Sequence, residues 1–264
     1  MSASAKRRKS RRKLDWRKPV AFLRVLLLIT LGIIAVYYFS QSSFFALGLI
    51  ETEGNSKVTE GEIIAKSGLS LGMNYFALDT ELVEKRLLSL PLIETVKVKK
   101  RLPDRVFVEI KEREARALFC AQDGLVVIDS KGYCLEKPTA GKNYDLPVIT
   151  GIKTESAAPG EKVCTSKALQ PVLNVLDDDL QRLVSEINIA QADSLVAYTR
   201  QGTPVLLGTP DHLPEKITLV VSYLDSLESV EEIDYVDIRS ILAPAVKYRG
   251  KTADGENLFS LFEN

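Results

Sequence analysis

The sequence predicts an α+β protein: an N-terminal transmembrane helix, a β-α-α-β-β module, and a mostly β C-terminal module with two helices. Three observations carry that prediction. A densely basic segment, Lys6 to Lys18, runs into a stretch without charge from Val25 to Ile50. Two helical patterns then precede two runs of strict apolar–polar alternation. From Ala115 onward, short apolar runs separated by turn residues dominate.

The charge-free stretch exceeds the roughly 20 residues a helix needs to cross a hydrocarbon core of about 30 Å. Nine Lys and Arg against one acid, Asp15, flank its N-terminal side. The positive-inside bias assigns residues 1–24 to the cytoplasm, makes residues 25–45 the anchor, and sends the remainder outside. Arg24 reaches the headgroups on its long stem. A cleaved signal peptide is the competing reading, since Ser40-Gln41-Ser42 has small residues at a cleavage-like spacing. The apolar region of such peptides is usually about 7–15 residues, shorter than this one. A buried core helix is disfavoured because Leu26 to Val36 has no polar face.

Charge bounds the exported part. The chain holds 35 basic and 35 acidic residues, so the tail's net +8 leaves −8 elsewhere. That argues against nucleic-acid or anionic-lipid binding outside. Three cysteines, Cys120, Cys134 and Cys164, show no metal-knuckle spacing. Cys120 and Cys134 are expected on strands flanking Leu125 to Ile128, about 9–10 Å apart and too far for a bridge. Buried small hydrophobes are their expected role, with a bridge through Cys164 left open.

In the first exported module, Leu47 to Thr52 reads as a strand ending at Gly54-Asn55. Thr59-x-x-Glu62 is a capping box, and Gly68 ends the helix it opens. Asp79 opens a second helix carrying Leu82, Val83, Leu87 and Leu88. Val96 and Val98 then alternate with Lys97 and Lys99, Leu102-Pro103-Asp104 turns the chain, and Val106, Val108 and Ile110 alternate with Phe107, Glu109 and Lys111. In the second module, strands are expected at Ala115–Cys120, Leu125–Asp129, Tyr133–Glu136, Pro147–Thr150, Val184–Ile189, Leu195–Thr199, Thr203–Leu207, Tyr235–Arg239 and Ala245–Arg249. One helix, capped by Thr165 or Ser166, is expected through Leu169, Val172, Leu173, Leu176 and Leu180, and another begins at Pro214.

Glu51 to Asn55, Ile63, Gly68, Gly72, Tyr75-Phe76, Asp79, Pro91, Ile93, Arg101, Pro103 and the run Val106 to Arg113 together resemble a POTRA domain of the FtsQ type. Leu206-Leu207-Gly208, Lys216, Tyr235 to Arg239 and Ala245 to Tyr248 resemble the C-terminal domain of the FtsQ/DivIB family. Ser240 departs from the aromatic expected after Arg239. The resemblance divides the chain into residues 46–113, residues 114–250 and a tail, residues 251–264. The short basic tail and the brief C-terminal extension look more like FtsQ of a two-membrane bacterium.

The resemblance implies a non-enzymatic divisome scaffold, single-pass in the cell inner membrane and located at the septum. It implies binding to FtsB and FtsL by strand addition at the C-terminal edge, and to other division proteins through the POTRA domain and membrane helix. The partner-binding residues it implies are Tyr235, Asp237, Arg239, Ser240, Ala245, Val246, Lys247 and Tyr248. No catalytic residues, cofactor or metal are expected. His212 is the single histidine, Cys164 has no base beside it in sequence, and Asp177-Asp178-Asp179 reads as a solvated helix end. A POTRA-bearing export or outer-membrane assembly factor and a tethered wall-modifying enzyme are the alternatives.

Overall fold

The computed structural model describes residues 17–139, 141–152, 154, 157–226 and 233–249. Most of the expected basic tail and the whole of residues 251–264 lie outside the described residues. Helix α1 spans Arg17–Ser40, and its segment Phe22–Ser40 is long and apolar enough to cross a membrane, with none of its side chains buried. The helix stops short of residue 45 because the polar Ser40-Gln41-Ser42 step ends it: Ser40 Oγ donates back to the Tyr37 carbonyl. Ser42 then caps a 3₁₀ turn, Ser43–Phe45.

The first module after α1 holds β1 (Leu49–Glu53), α2 (Glu60–Ser67), α3 (Thr80–Leu87), β2 (Ile93–Arg101) and β3 (Arg105–Glu112). The strands lie in the order β1-β3-β2, β1 parallel and β2 antiparallel to β3. The caps form where the sequence placed them. Thr59 Oγ1 accepts from Glu62 N, Asp79 accepts from Leu82 N, and Gly68 takes the left-handed conformation at φ 75°. Ile63, Val83 and Leu87 pack against Val96, Val98, Val106, Val108 and Ile110, so alternation along β2 and β3 meets the helical faces.

One carboxylate secures the β1–α2 turn. Glu112 accepts from Ser56 N at 2.8 Å, Val58 N at 2.9 Å and Lys57 N at 2.9 Å. Burial pushes this carboxyl up, but the Val58, Lys57 and Ser56 amides and the Lys57 charge bring it below its usual value of 4.5. A depressed acid stabilises the fold above its unfolded pKa, and that contribution is lost as pH falls through the folded value. Glu112→Gln is expected to cost about 2 kcal/mol at pH 7. It should also flatten the loss of stability below pH 4.5 in urea titrations; an unchanged acid limb would contradict this role.

The second module holds β4 (Ala115–Ala121), β5 (Gly124–Asp129), β6 (Cys134–Glu136), β7 (Val148–Thr150), α4 (Leu169–Val175), α5 (Asp178–Leu183), β8 (Val184–Asn188), β9 (Leu195–Thr199), β10 (Pro204–Gly208), α6 (Leu213–Ser226), β11 (Ile233–Asp237) and β12 (Ala245–Tyr248). They form one nine-stranded sheet, in the order β12-β11-β10-β9-β8-β7-β4-β5-β6. Its core draws on Phe119, Ile128, Ile149, Leu173, Leu180, Ile187, Val205, Ile217, Val220 and Val236, joining the sheet to α4, α5 and α6.

Four expectations need correction. The single helix expected through Leu180 is two, because Leu176 leaves helical geometry at ψ 71° and Asp177 caps a new helix by accepting from Leu180 N. The module thus has three helices among the described residues. Ser166 accepts from Ala168 N, yet Ala168 is the N-cap and makes no side-chain cap bond. Pro214 sits one residue inside α6, where its missing N–H is still one of the helix's unpaired donors. Cys120 is exposed, not buried, while Cys134 is buried and Cys164 half-buried. β4 and β6 do flank β5, and all three thiols are free. Cys120 stands opposite the exposed Leu125, near the hairpin end where the sheet face is uncovered.

Candidate functional site

The sheet ends at β12, which pairs antiparallel with β11 and has no neighbour on its other side among the described residues. β11 in turn lies parallel to β10, with α6 as the crossover. A right-twisted strand feeding a helix packs back on its sheet in this way. The parallel placement is what leaves the last strand at the rim.

Cross-strand pairs set the two faces of this hairpin. Val236 stands opposite Val246, Asp237 opposite Ala245 and Tyr235 opposite Lys247. Val246 and Tyr248 are half-buried and pack on the core, and Tyr248 Oη lies 3.4 Å from Tyr223 Oη of α6. Ala245 and Lys247 are exposed. The Lys247 ammonium sits 5.5 Å from the Tyr235 ring centre and 3.2 Å from Asp234 Oδ2.

At the start of the turn Asp237 and Arg239 form a forked pair. Arg239 Nε donates to Oδ1 at 2.9 Å, Nη2 to Oδ2 at 2.6 Å, and the Arg239 amide to Oδ1 at 3.1 Å. The guanidinium holds the Asp237 carboxyl below its usual range, against the opposing effect of burial. Arg239's stem lies across Gly208, whose φ is 68°; a Cβ there would meet Arg239 Cγ at 3.0 Å. Glycine is required at that position for both reasons.

Behind the turn, Lys216 of α6 is 3 % exposed and donates from Nζ to the Leu207 and Thr209 carbonyls, each at 2.8 Å. Burial pushes its pKa down, with Asp211 partly opposing. This ammonium ties the start of α6 to the end of β10.

All eight residues named from the sequence therefore fall in one hairpin, β11, its turn and β12. Val246 and Tyr248 face inward, whereas Tyr235, Lys247 and Arg239 offer polar groups outward. Leu242, at the tip of the turn, was missed: it is 86 % exposed. The available signal was the apolar pair Ile241-Leu242 between Ser240 and Pro244, where a turn ordinarily carries polar residues.

The other chemical candidates are dispersed. His212 is exposed, with Nδ1 3.7 Å from Glu215 Oε1. Asp177 is a helix cap, and Asp178 and Asp179 pair with Arg116 and Arg182. Among the described residues no group of three His, Cys, Asp or Glu is placed to hold a metal ion.

The POTRA domain, FtsQ-type, family model matches residues 45–113, and the cell division protein FtsQ/DivIB C-terminal model matches residues 117–239. The second match stops before β12. The chain is 27 % identical over 245 residues to the cell division protein FtsQ of Syntrophotalea carbinolica, covering 87 % of this chain and 86 % of that one. It is 29 % identical over 240 residues to FtsQ of Anaeromyxobacter sp. strain K, covering 87 % and 81 %. With the cell division protein DivIB of Clostridium acetobutylicum it shares 27 % identity over 201 residues, covering 74 % and 80 %. The POTRA-type module, the FtsQ-type sheet and the apolar N-terminal helix occur here in one chain, and the chain belongs to the FtsQ/DivIB family of cell division proteins.

Proposed function

We propose that this protein is a single-pass division scaffold with a cytoplasmic N terminus, exported POTRA and β domains, and no chemistry of its own. In this reading it gathers at the septum and receives FtsB, in complex with FtsL, as an added strand on β12. Other division membrane proteins meet the POTRA domain and α1. The observation that carries the reading is the open edge of β12. An edge strand presents unpaired N–H and C=O groups, so a partner segment gains main-chain hydrogen bonds there. Tyr235, Lys247, Arg239 and Leu242 then supply selectivity, while Val246 and Tyr248 hold the strand on the core.

The test is proline placed singly at Val246 and Lys247. Along an edge strand alternate N–H groups face the ladder and the solvent, so one of the two substitutions removes an outward donor and leaves the fold intact. That folded variant should bind the purified FtsB–FtsL complex at least about tenfold more weakly, the loss of roughly one or two main-chain hydrogen bonds. Wild-type affinity in the variant that stays folded by circular dichroism would refute docking on this strand.

A further inference from the structure

The outer end of α1 does not pass into a free linker. Asn74 Nδ2 of the first exported module donates to the Ser40 carbonyl at 2.7 Å, and Ala46 bridges Asn74. Leu47 exchanges backbone bonds with Met73 and Gly72 at 2.7 and 2.8 Å. The loop from Leu71 to Phe76 is therefore held directly against the helix end. Aromatic rings continue that attachment: Phe39 of α1 lies 5.2 Å from Phe45, and Phe45 lies 4.9 Å from Phe76, both edge to face.

Three large apolar side chains on this rim remain open: Phe44 at 59 %, Leu71 at 67 % and Phe76 at 54 % exposure. Their depth follows from the helix. The apolar segment has 19 residues. At about 1.5 Å per residue it spans close to the hydrocarbon thickness, so Ser40 and the groups bonded to it stand at the headgroup boundary. Aromatic and apolar side chains are stabilised at that depth.

We propose that the first exported module is seated on the outer leaflet of the membrane, with Phe44, Leu71 and Phe76 inserted at the boundary between acyl chains and headgroups. The lipid interface is the occupant because this rim is continuous with the membrane-crossing helix. The inference rests on reading α1 as spanning the bilayer. The seat fixes the attitude of the module to the membrane and needs no anionic lipid.

Trp16 is the chain's single tryptophan, so the full chain with W16F accepts one reporter at a time. Tyr38→Trp, Phe76→Trp and Leu242→Trp would be reconstituted into phosphatidylcholine vesicles with and without brominated acyl chains. Tyr38→Trp and Phe76→Trp should each be quenched about twofold or more, and Leu242→Trp should not. Quenching at 38 but not at 76 overturns the seat while leaving the anchor in place. No quenching at 38 removes the anchor reading and the seat with it. Equal quenching at 76 and 242 would mean that the whole exported surface lies on lipid, which also overturns a seat at this rim. Adding Leu71→Glu to the Phe76→Trp protein should at least halve the quenching there; no change would exclude Leu71 from the seat as stated.

Discussion

Replacing Arg113 with Ala should cost about 3–5 kcal/mol, because it leaves a carboxylate buried without its counter-charge. Arg113 follows the last strand of the first module, and its Nη1 lies 2.6 Å from Asp129 Oδ2 at the end of β5. The two side chains are 15 % and 5 % exposed. Arg113 also donates from Nε to the Ile93 carbonyl at 3.2 Å and from its amide to Leu92 O at 2.7 Å. Its guanidinium stacks 4.3 Å from the Tyr133 ring centre. A single side chain thus joins β2 of the first module to β5 of the second. Glu94 adds a second tie, bonding Lys111 of its own module at 2.8 Å and Lys131 of the next at 2.7 Å. Those two ammonium groups, Lys111 first, hold Glu94 down to about 2.

The urea midpoint of the detergent-solubilised chain measures the Arg113 effect. Arg113→Lys should recover only part, since an ammonium lacks the planar fork and the ring contact. The pair Arg113→Met with Asp129→Asn should be milder than Arg113→Ala, because it removes both charges together and keeps an acceptor for the Lys131 and Tyr133 amides. Equal losses for the single and double changes would mean that the pair does not act as a unit.

Lys216→Ala should be the next most damaging change, at about 3 kcal/mol, from the lost stem packing and two deserted carbonyls. Lys216→Met keeps the stem and should lose about half as much. The pH dependence separates charge from packing. Lys216's folded pKa lies below its unfolded value of 10.5. Through this group, stability is therefore greatest above 10.5 and is lost as pH falls through the folded value. The neutral amine still donates to both carbonyls. Wild-type stability should therefore gain on the alkaline side relative to Lys216→Met, and parallel profiles would exclude a buried ammonium.

The elements were legible wherever local chemistry decides them. Thr59, Gly68 and Asp79 are capping residues whose geometry involves only near neighbours, and Val96 through Ile110 alternate because one face of a sheet is buried. Glu112 and Arg113 were legible as part of a pattern, but their tasks were not. Their partners, Ser56 to Val58 and Asp129, are far away in sequence, and only the fold brings them together. The break at Leu176 was hidden because Leu176 and Leu180 continue the apolar periodicity across it, so the pattern reads as one helix. The edge position of β12 followed from family resemblance, whereas neither pattern nor resemblance marked the exposed Leu242.

An open strand attracts wrong partners as readily as right ones, including a second copy of the same chain. β12 limits that hazard by being four residues long, with Lys247 on its exposed face. Two such edges meeting back to back would bring two ammonium groups close together, which disfavours the pairing. The nine-residue β2, the longer rim of the POTRA sheet, turns Lys97 and Lys99 outward in the same manner. Short length at one rim and outward lysines at both thus disfavour edge-to-edge pairing between copies of this chain.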